Sequence, residues 1–269
     1  MSRMAQCFER LTNEGKKALI PYIVAGDPVK EVTVSVMHEM VANGADIIEL
    51  GIPFSDPEAE GPVIQLAHER ALEHGTSLED TCNLVREFRK SDKHTPVLLM
   101  GYINPIEKMG HKKFADLAAD SGVDALLIVN LPPEEEDELN QILLARDIDR
   151  ICLLAPTTTD TRAKYLCEAS RGFVYYVSLK GTTGAATINM VEVEERVKKL
   201  KQYSKIPMVV GFGIKDGATA AKVSSFADGS VVGTAIVDIF EAEQDNIEKI
   251  APEVGKLVAS MRYAMDNCA

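Results

Sequence analysis

Short apolar runs recur along the chain, separated by longer stretches in which apolar residues return at helical spacing. Eight such runs stand out: Ala18–Ala25, Ile47–Gly51, Pro96–Gly101, Ala125–Val129, Ile151–Ala155, Phe173–Ser178, Met208–Gly211 and Gly229–Gly233. They are rich in Val, Ile and Leu and near-continuously apolar, the pattern of parallel strands covered on both faces. Between them, Glu31–Ala42, Ser77–Arg89, Lys112–Ala119, Glu134–Ala145, Val191–Lys201 and Ala218–Ser225 predict amphipathic helices, and Ile236–Cys268 predicts a helical close. Ser77 followed by Glu79 and Asp80 reads as a helix start. Pro133-Glu134-Glu135-Glu136 sets acids at the positive end of another. Strand–helix alternation repeated eight times with no linker predicts an α/β fold, a single (β/α)8 TIM barrel with extra helices, occupying residues 1–269 as one domain. An open doubly wound sheet is the weaker reading.

The length of 269 residues suits one such barrel, and 46% hydrophobic residues suffice for a large core, which excludes wholesale disorder. Lys and Arg number 29 against 41 Asp and Glu, a net charge of −12. That balance excludes a nucleic-acid surface, which needs a basic face to displace counterions, and leaves room only for a small, locally held phosphate. Cys7, Cys82, Cys152, Cys167 and Cys268 form no CxxC pair, and their number is odd. They read as incidental, mostly buried thiols in a reducing compartment, with no metal site. The opening MSRMAQCFERL lacks the apolar stretch of a signal peptide, and no run approaches the ~18 apolar residues of a membrane span. A soluble, cytoplasmic protein is expected.

The candidate chemistry gathers at the predicted strand ends. In Ile47-Ile48-Glu49-Leu50-Gly51 a carboxylate sits within an apolar strand. Such a placement is costly unless the group is solvated at the barrel mouth or serves as an acid/base with a pKa raised by apolar walls. Tyr22, Met100, Leu127 and Phe212, all near strand C-termini, could supply those walls. The loop that follows, residues 51–62, carries Asp56, Glu58 and Glu60 among Pro53, Pro57 and Pro62. Proline stiffens it, as befits a loop that positions carboxylates or meets a partner. The run Lys180–Asn189 is too rich in Gly and Thr for regular structure. Glycines follow the sixth, seventh and eighth strands: Gly181 to Gly184, Gly211-Phe212-Gly213-Ile214, and Gly233-Thr234. They ease tight turns or, converging beside helix N-termini, form a phosphate cradle of backbone N–H groups.

Tyr175 and Tyr176 are adjacent in one strand, so one faces the barrel interior and the other the helix layer; spacing alone does not say which. His38, His68, His74, His94 and His111 lie away from predicted strand ends and read as surface histidines. No G-x-S-x-G elbow is present. Lys180 and Lys215, the lysines nearest the strand ends, fall in polar loops unsuited to Schiff-base chemistry. The residues thus describe a barrel for a small phosphate-bearing ligand, with one well-placed carboxylate and no metal.

Several segments resemble one family. ADIIELGIPFSDPEAEGPVIQ (Ala45–Gln65) is similar to the signature of the tryptophan synthase α chains. Gly26-Asp27-Pro28, Met100-Gly101-Tyr102-Ile103-Asn104-Pro105, Leu131-Pro132, Tyr175–Gly184 and Gly211–Ile214 follow in the same order, so the resemblance runs from about Phe8 to the C-terminus. It implies cleavage of indole-3-glycerol phosphate to indole and glyceraldehyde 3-phosphate. On this resemblance Glu49 is the general acid/base, with Glu60 and Tyr175 as further catalytic residues. Tyr22, Ile64, Met100, Leu127 and Phe212 line the indole slot, and Thr183 belongs to a lid. Gly184, Gly213, Gly233 and Thr234 hold the phosphate. The resemblance also implies a β chain partner in an α2β2 heterotetramer, met through Pro53, Asp56, Pro57, Tyr102, Asn104 and Pro105. Pyridoxal phosphate is expected in that partner and no cofactor in this chain.

The chain departs from the family's pattern at three places. Glu60 stands where an aspartate is usual and is one methylene longer; a displacement of about 1 Å at a reacting centre can cost ~10²-fold in rate. Glu58 replaces a common hydrophobic residue, and Asn130 stands where an aspartate often follows the fourth strand. Two alternatives remain at this level: a weakly catalytic α-like subunit that mainly activates a β chain, and a barrel aldolase or isomerase for another sugar phosphate.

Overall fold

The computed structural model describes residues 1–135, 137–178, 189–211 and 213–267. Eight parallel strands close into a barrel in sequence order: β1 (Ala18–Val24), β2 (Ile48–Gly51), β3 (Val97–Gly101), β4 (Ala125–Ile128), β5 (Asp149–Leu154), β6 (Val174–Val177), β7 (Met208–Gly211) and β8 (Gly229–Val232). β1 pairs with both β2 and β8, which completes the ring. This is the predicted (β/α)8 architecture, each strand within two residues of its predicted position.

Twelve helices lie among the described residues: α1 (Arg3–Glu14), α2 (Lys30–Ala42), α3 (Pro62–Glu73), α4 (Leu78–Phe88), α5 (Ile103–Met109), α6 (His111–Ser121), α7 (Asp137–Leu144), α8 (Asp160–Ala169), α9 (Met190–Lys201), α10 (Gly217–Ser224), α11 (Thr234–Ala242) and α12 (Ile247–Asp266). Ser77 caps α4 as expected: its hydroxyl accepts from the Asp80 N–H while the Asp80 side chain accepts from the Ser77 N–H. Two predicted helices are divided. Pro133–Glu135 forms a short 3-10 turn before α7, and the predicted closing helix breaks between α11 and α12.

The strands read as continuously apolar because their two faces bury into two different cores. Tyr22, Leu98, Leu127, Ile151, Tyr175 and Val209 point into the barrel. Ile23, Leu50, Leu99, Leu126, Tyr176 and Val210 pack under the helices. Period-2 alternation is therefore present but hidden, since both faces are dry. α1 closes the floor: Met4, Cys7, Phe8 and Leu11 join the interior core, with Phe8 edge-on to Phe173 at 5.9 Å. Cys7, Cys82, Cys152 and Cys167 are buried as expected. Among the described residues no helix is long and apolar enough to cross a membrane.

Candidate active site

Tyr22 of β1 sits directly beside Glu49 of β2 in register, and Leu98 of β3 lies on the other side of Glu49. Register partners share a face of the sheet, so Glu49 points into the barrel with Tyr22. Glu49 is fully buried, and neither carboxylate oxygen has a hydrogen-bond partner. Buried polar atoms are rarely left so. Burial, and after it the charge on Glu60, pushes the Glu49 carboxyl up to about 8. Glu60, reached through the loop after β2, is 4% exposed, and burial pushes it up to about 7. At neutral pH Glu49 therefore holds its proton while Glu60 is about half ionised. The solvated rim carboxylate allowed by the sequence is not what β2 presents.

The loop before Glu60 is pinned from three sides. Phe54 stacks on Tyr102 with ring centroids 5.0 Å apart. The Tyr102 hydroxyl accepts from the Ala59 N–H at 3.1 Å. The Glu60 N–H donates to the Pro57 carbonyl at 2.9 Å, and the Gln65 amide donates to the Glu60 carbonyl at 3.0 Å. α3 is tied to the β1 loop by Arg70, whose guanidinium grips Asp27 with two bonds of 2.7 and 2.9 Å. Gly26 beside it has φ of +78°, and a Cβ there would collide with Thr76.

His68 corrects the expectation that the histidines lie on the surface. It is 1% exposed, its Nδ1 accepts from the Phe54 N–H at 3.2 Å, and its Nε2 lies 3.3 Å from the Tyr22 hydroxyl. Burial lowers its pKa to about 4, so it is neutral. The cause was legible in spacing: Ile64, Ala67, His68 and Ala71 form the buried stripe of α3 at i, i+3, i+4 and i+7.

Tyr175 is the tyrosine that faces the interior, and Tyr176 packs in the outer core. Two glycines make room for hydroxyls. A Cβ on Gly51 would collide with the Tyr22 hydroxyl, and one on Gly211 with the Tyr175 hydroxyl. Gly211 thus clears space for a side chain, rather than joining the rim as the glycine-cradle reading had it. Both tyrosines are buried, and their pKa values are pushed well above 10 by burial and then by the two glutamates.

These groups surround a cavity of about 110 Å³ at the C-terminal end of the barrel. The structure brings Tyr22, Glu49, Glu60, Ile64, Met100 and Tyr175 together on its walls, with Gly213, Gly233 and Thr234 at its mouth. Gly233 is the N-cap of α11 and Thr234 its first residue, so a helix N-terminus opens there. Leu127, in register with Met100 of the cavity wall, is wholly buried in the interior core and is not itself among the residues that line the cavity. Val129, Leu153 and Val177, each two residues beyond an inward-facing position, also line the cavity. Strand period alone would have found them. Thr183, Gly184 and Phe212 lie outside the described residues, as do Lys180 and Cys268. Lys215 is exposed.

The six residues expected to meet a partner divide in two. Asp56 and Asn104 are exposed and Pro105 is half-buried, whereas Pro53, Pro57 and Tyr102 are buried within this chain. Tyr102 supports the loop from beneath through Phe54 and Ala59, which is why it is covered. Pro53, Asn104 and Pro105 share a surface groove with Lys108 and Lys113. Asn130 joins this rim: it accepts from the Ile103 N–H at 2.9 Å and donates to Asn104 at 3.2 Å.

A closed eight-stranded barrel with two buried, protonatable carboxyl groups in a pocket at its C-terminal rim defines a (β/α)8 enzyme of the acid–base class. Comparison with known proteins is more specific. The family model described as "Tryptophan synthase alpha chain" matches residues 8–266, and the chain belongs to that family of lyase-type subunits of tryptophan biosynthesis. The tryptophan synthase alpha chain of Marinobacter nauticus is 53% identical over 269 residues, all of both chains. The crystal structure of tryptophan synthase subunit alpha from Legionella pneumophila is 44% identical, covers 99% of each chain and superposes with a TM-score of 0.92. A structure of Mycobacterium tuberculosis tryptophan synthase gives 34% identity, 98% coverage of each chain and a TM-score of 0.88.

Proposed function

We propose that the chain cleaves indole-3-glycerol phosphate by acid/base retro-aldol chemistry, with no metal and no Schiff base, as the α subunit of an α2β2 assembly. The observation that carries this reading is the buried Glu49 carboxyl, protonated at neutral pH and with both oxygens unpartnered at the cavity. Cleavage requires a proton at the indole C3 carbon before the bond from C3 to the glycerol side chain can break. Glu49 holds that proton. Once it is given to C3, the Glu49 carboxylate takes the proton of the adjacent glycerol hydroxyl. The C3–carbon bond then breaks, its electron pair returns to the ring, and the hydroxyl carbon becomes the aldehyde. One proton has moved from oxygen to carbon, and Glu49 is restored as the acid.

The positive charge that develops on the indole ring falls to Glu60, which is close to half ionised near pH 7. Tyr175, facing inward beside Gly211, orients the glycerol portion. The phosphate takes the mouth, where the α11 N-terminus and Gly213 offer backbone N–H groups, so an acidic protein can hold one phosphate without a basic patch. Thr183 and Gly184, and Phe212 on the slot wall, complete the assignment on family resemblance. Among the described residues no lysine lines the cavity, and no cluster of three His, Cys, Asp or Glu is placed to hold a metal.

The β chain meets the rim that carries Asp56, Asn104 and Pro105, and pyridoxal phosphate belongs to that partner and not to this chain. A cytoplasmic location accords with this role. The reading as a mainly regulatory subunit gains nothing from a site in which two buried carboxyl groups line one cavity. Indole release from indole-3-glycerol phosphate, measured with and without added β chain, tests the assignment. Release by the α chain alone, stimulated by β and lost in Glu49→Gln, is expected; stimulation of β with no release would overturn it.

A further inference from the structure

The Tyr22 hydroxyl is the meeting point of three choices in the sequence that the reaction as described does not use. Gly51 lacks the Cβ that would strike it. His68, buried on α3, places Nε2 within 3.3 Å of it. Phe54, in the loop that leads to Glu60, turns its backbone N–H onto the opposite ring nitrogen at 3.2 Å. A backbone N–H can only donate, so His68 Nδ1 is the acceptor and carries no proton. The ring is neutral in its buried site, so its single proton is on Nε2. That N–H donates to the Tyr22 oxygen, and the tyrosine's own proton is left to point elsewhere. The carboxyls of Glu60 and Glu49 line the same cavity, and of the groups whose charge acts on the Tyr22 hydroxyl, Tyr102 and Tyr175 included, theirs act most strongly.

We propose that His68 is a positioning residue: fixed as the Nε2–H tautomer by the Phe54 N–H, it donates to the Tyr22 hydroxyl and so turns the tyrosine proton into the cavity, toward the Glu49–Glu60 carboxyl pair. His68 touches neither substrate nor cavity and acts only through Tyr22. The same ring ties the Glu60 loop to the barrel wall, so loop and hydroxyl are set together. This rests on the retro-aldol reading given above.

Three substitutions separate positioning from mere packing. His68→Gln brings an amide N–H close to the place of Nε2 and keeps the donor to Tyr22. His68→Asn brings its oxygen close to the place of Nδ1, keeping the acceptor for Phe54 but not the donor. Tyr22→Phe removes the hydroxyl. His68→Asn and Tyr22→Phe should each lower kcat about 10-fold with KM changed less than about 2-fold, which corresponds to the loss of one hydrogen bond of about 1.4 kcal/mol. His68→Gln should stay within about 3-fold of the parent, and His68→Asn combined with Tyr22→Phe should lose no more than either alone. A Gln variant as slow as the Asn variant, or losses that multiply in the double variant, would overturn the proposal.

Nitrogen-15 spectra of histidine-labelled protein give a second readout that does not depend on turnover. One buried ring with Nε2 protonated and Nδ1 bare is expected, and that signal should vanish in His68→Asn; an Nδ1–H ring would overturn the proposal. If the parent protein releases no indole at all, the retro-aldol reading fails, while the tautomer result still stands or falls alone.

Discussion

The carboxylates at the floor of the barrel and the pair that lines the cavity are treated in opposite ways. At the N-terminal end, Asp46 accepts from the Leu19 N–H and pairs with Arg10 and Arg262. Asp124 accepts from the Val97 N–H and pairs with Arg89 and Arg3. Asp228 accepts from the Met208 N–H and pairs with Lys201 and Lys17. Each aspartate stands just ahead of a strand and clasps an N–H near the start of the strand beside it, so the ring is stitched at its floor. At the C-terminal end, Glu49 has no partner, and burial raises both Glu49 and Glu60. The same side-chain chemistry holds the fold where it is satisfied and is left reactive where it is not.

The comparison can be broken most severely at the floor. Asp124→Ala takes the buried carboxylate partner from Arg89 and the acceptor from the Val97 N–H, so urea unfolding should show a loss of about 3–5 kcal/mol. The fraction that remains folded should cleave at an unchanged rate per molecule. If turnover falls instead and stability does not, the two ends are not separate in function. At the rim the effect should be reversed. Glu49→Gln should lower kcat by about 10³-fold with no loss of stability, because the native carboxyl is already neutral.

The sign of the pH dependence sharpens this contrast. Glu49 binds its proton up to about 8 in the folded chain but only to its ordinary 4.5 when unfolded. Between those values the folded state holds the extra proton, so stability falls as pH rises, by up to about 1.4 kcal/mol per pH unit. Glu49→Gln removes that slope, and its stability advantage over the parent should grow from pH 5 to pH 8 in urea titrations. A constant difference would show that Glu49 is not buried as described. The smallest effect concerns Glu60. Glu60→Gln should lower kcat by about 10²-fold with KM nearly unchanged, because the charge it balances exists only as the bond breaks. Turnover equal to the parent's would remove Glu60 from the mechanism.

The barrel was legible because eight apolar runs alternate with helical periods with no linker between them, which favours a closed ring over an open doubly wound sheet. Glu49 was legible for a related reason, as a charge inside an apolar run. His68 was not, because a histidine reads alike on a surface and in a core until the α3 stripe at Ile64, Ala67 and Ala71 is counted with it. Leu127 reads as part of the wall, but it is wholly buried beside Met100, and an apolar strand end does not show where packing stops and the cavity begins. The glycines at the end of β7 and just beyond it carried two signals at once. Gly211 yields to Tyr175 while Gly213 opens to the rim, and only the height of each in the barrel tells them apart.

The empty Cβ positions at Gly51 and Gly211 also constrain how this sequence can change. Each is matched to a tyrosine ring, so the glycine cannot gain a side chain while its tyrosine stands. An alanine at Gly51 becomes tolerable only after the ring at Tyr22 has gone, and the same order binds Gly211 to Tyr175. Lineages, and anyone redesigning the slot for a bulkier ring, must therefore move through these pairs in sequence, tyrosine first and glycine second.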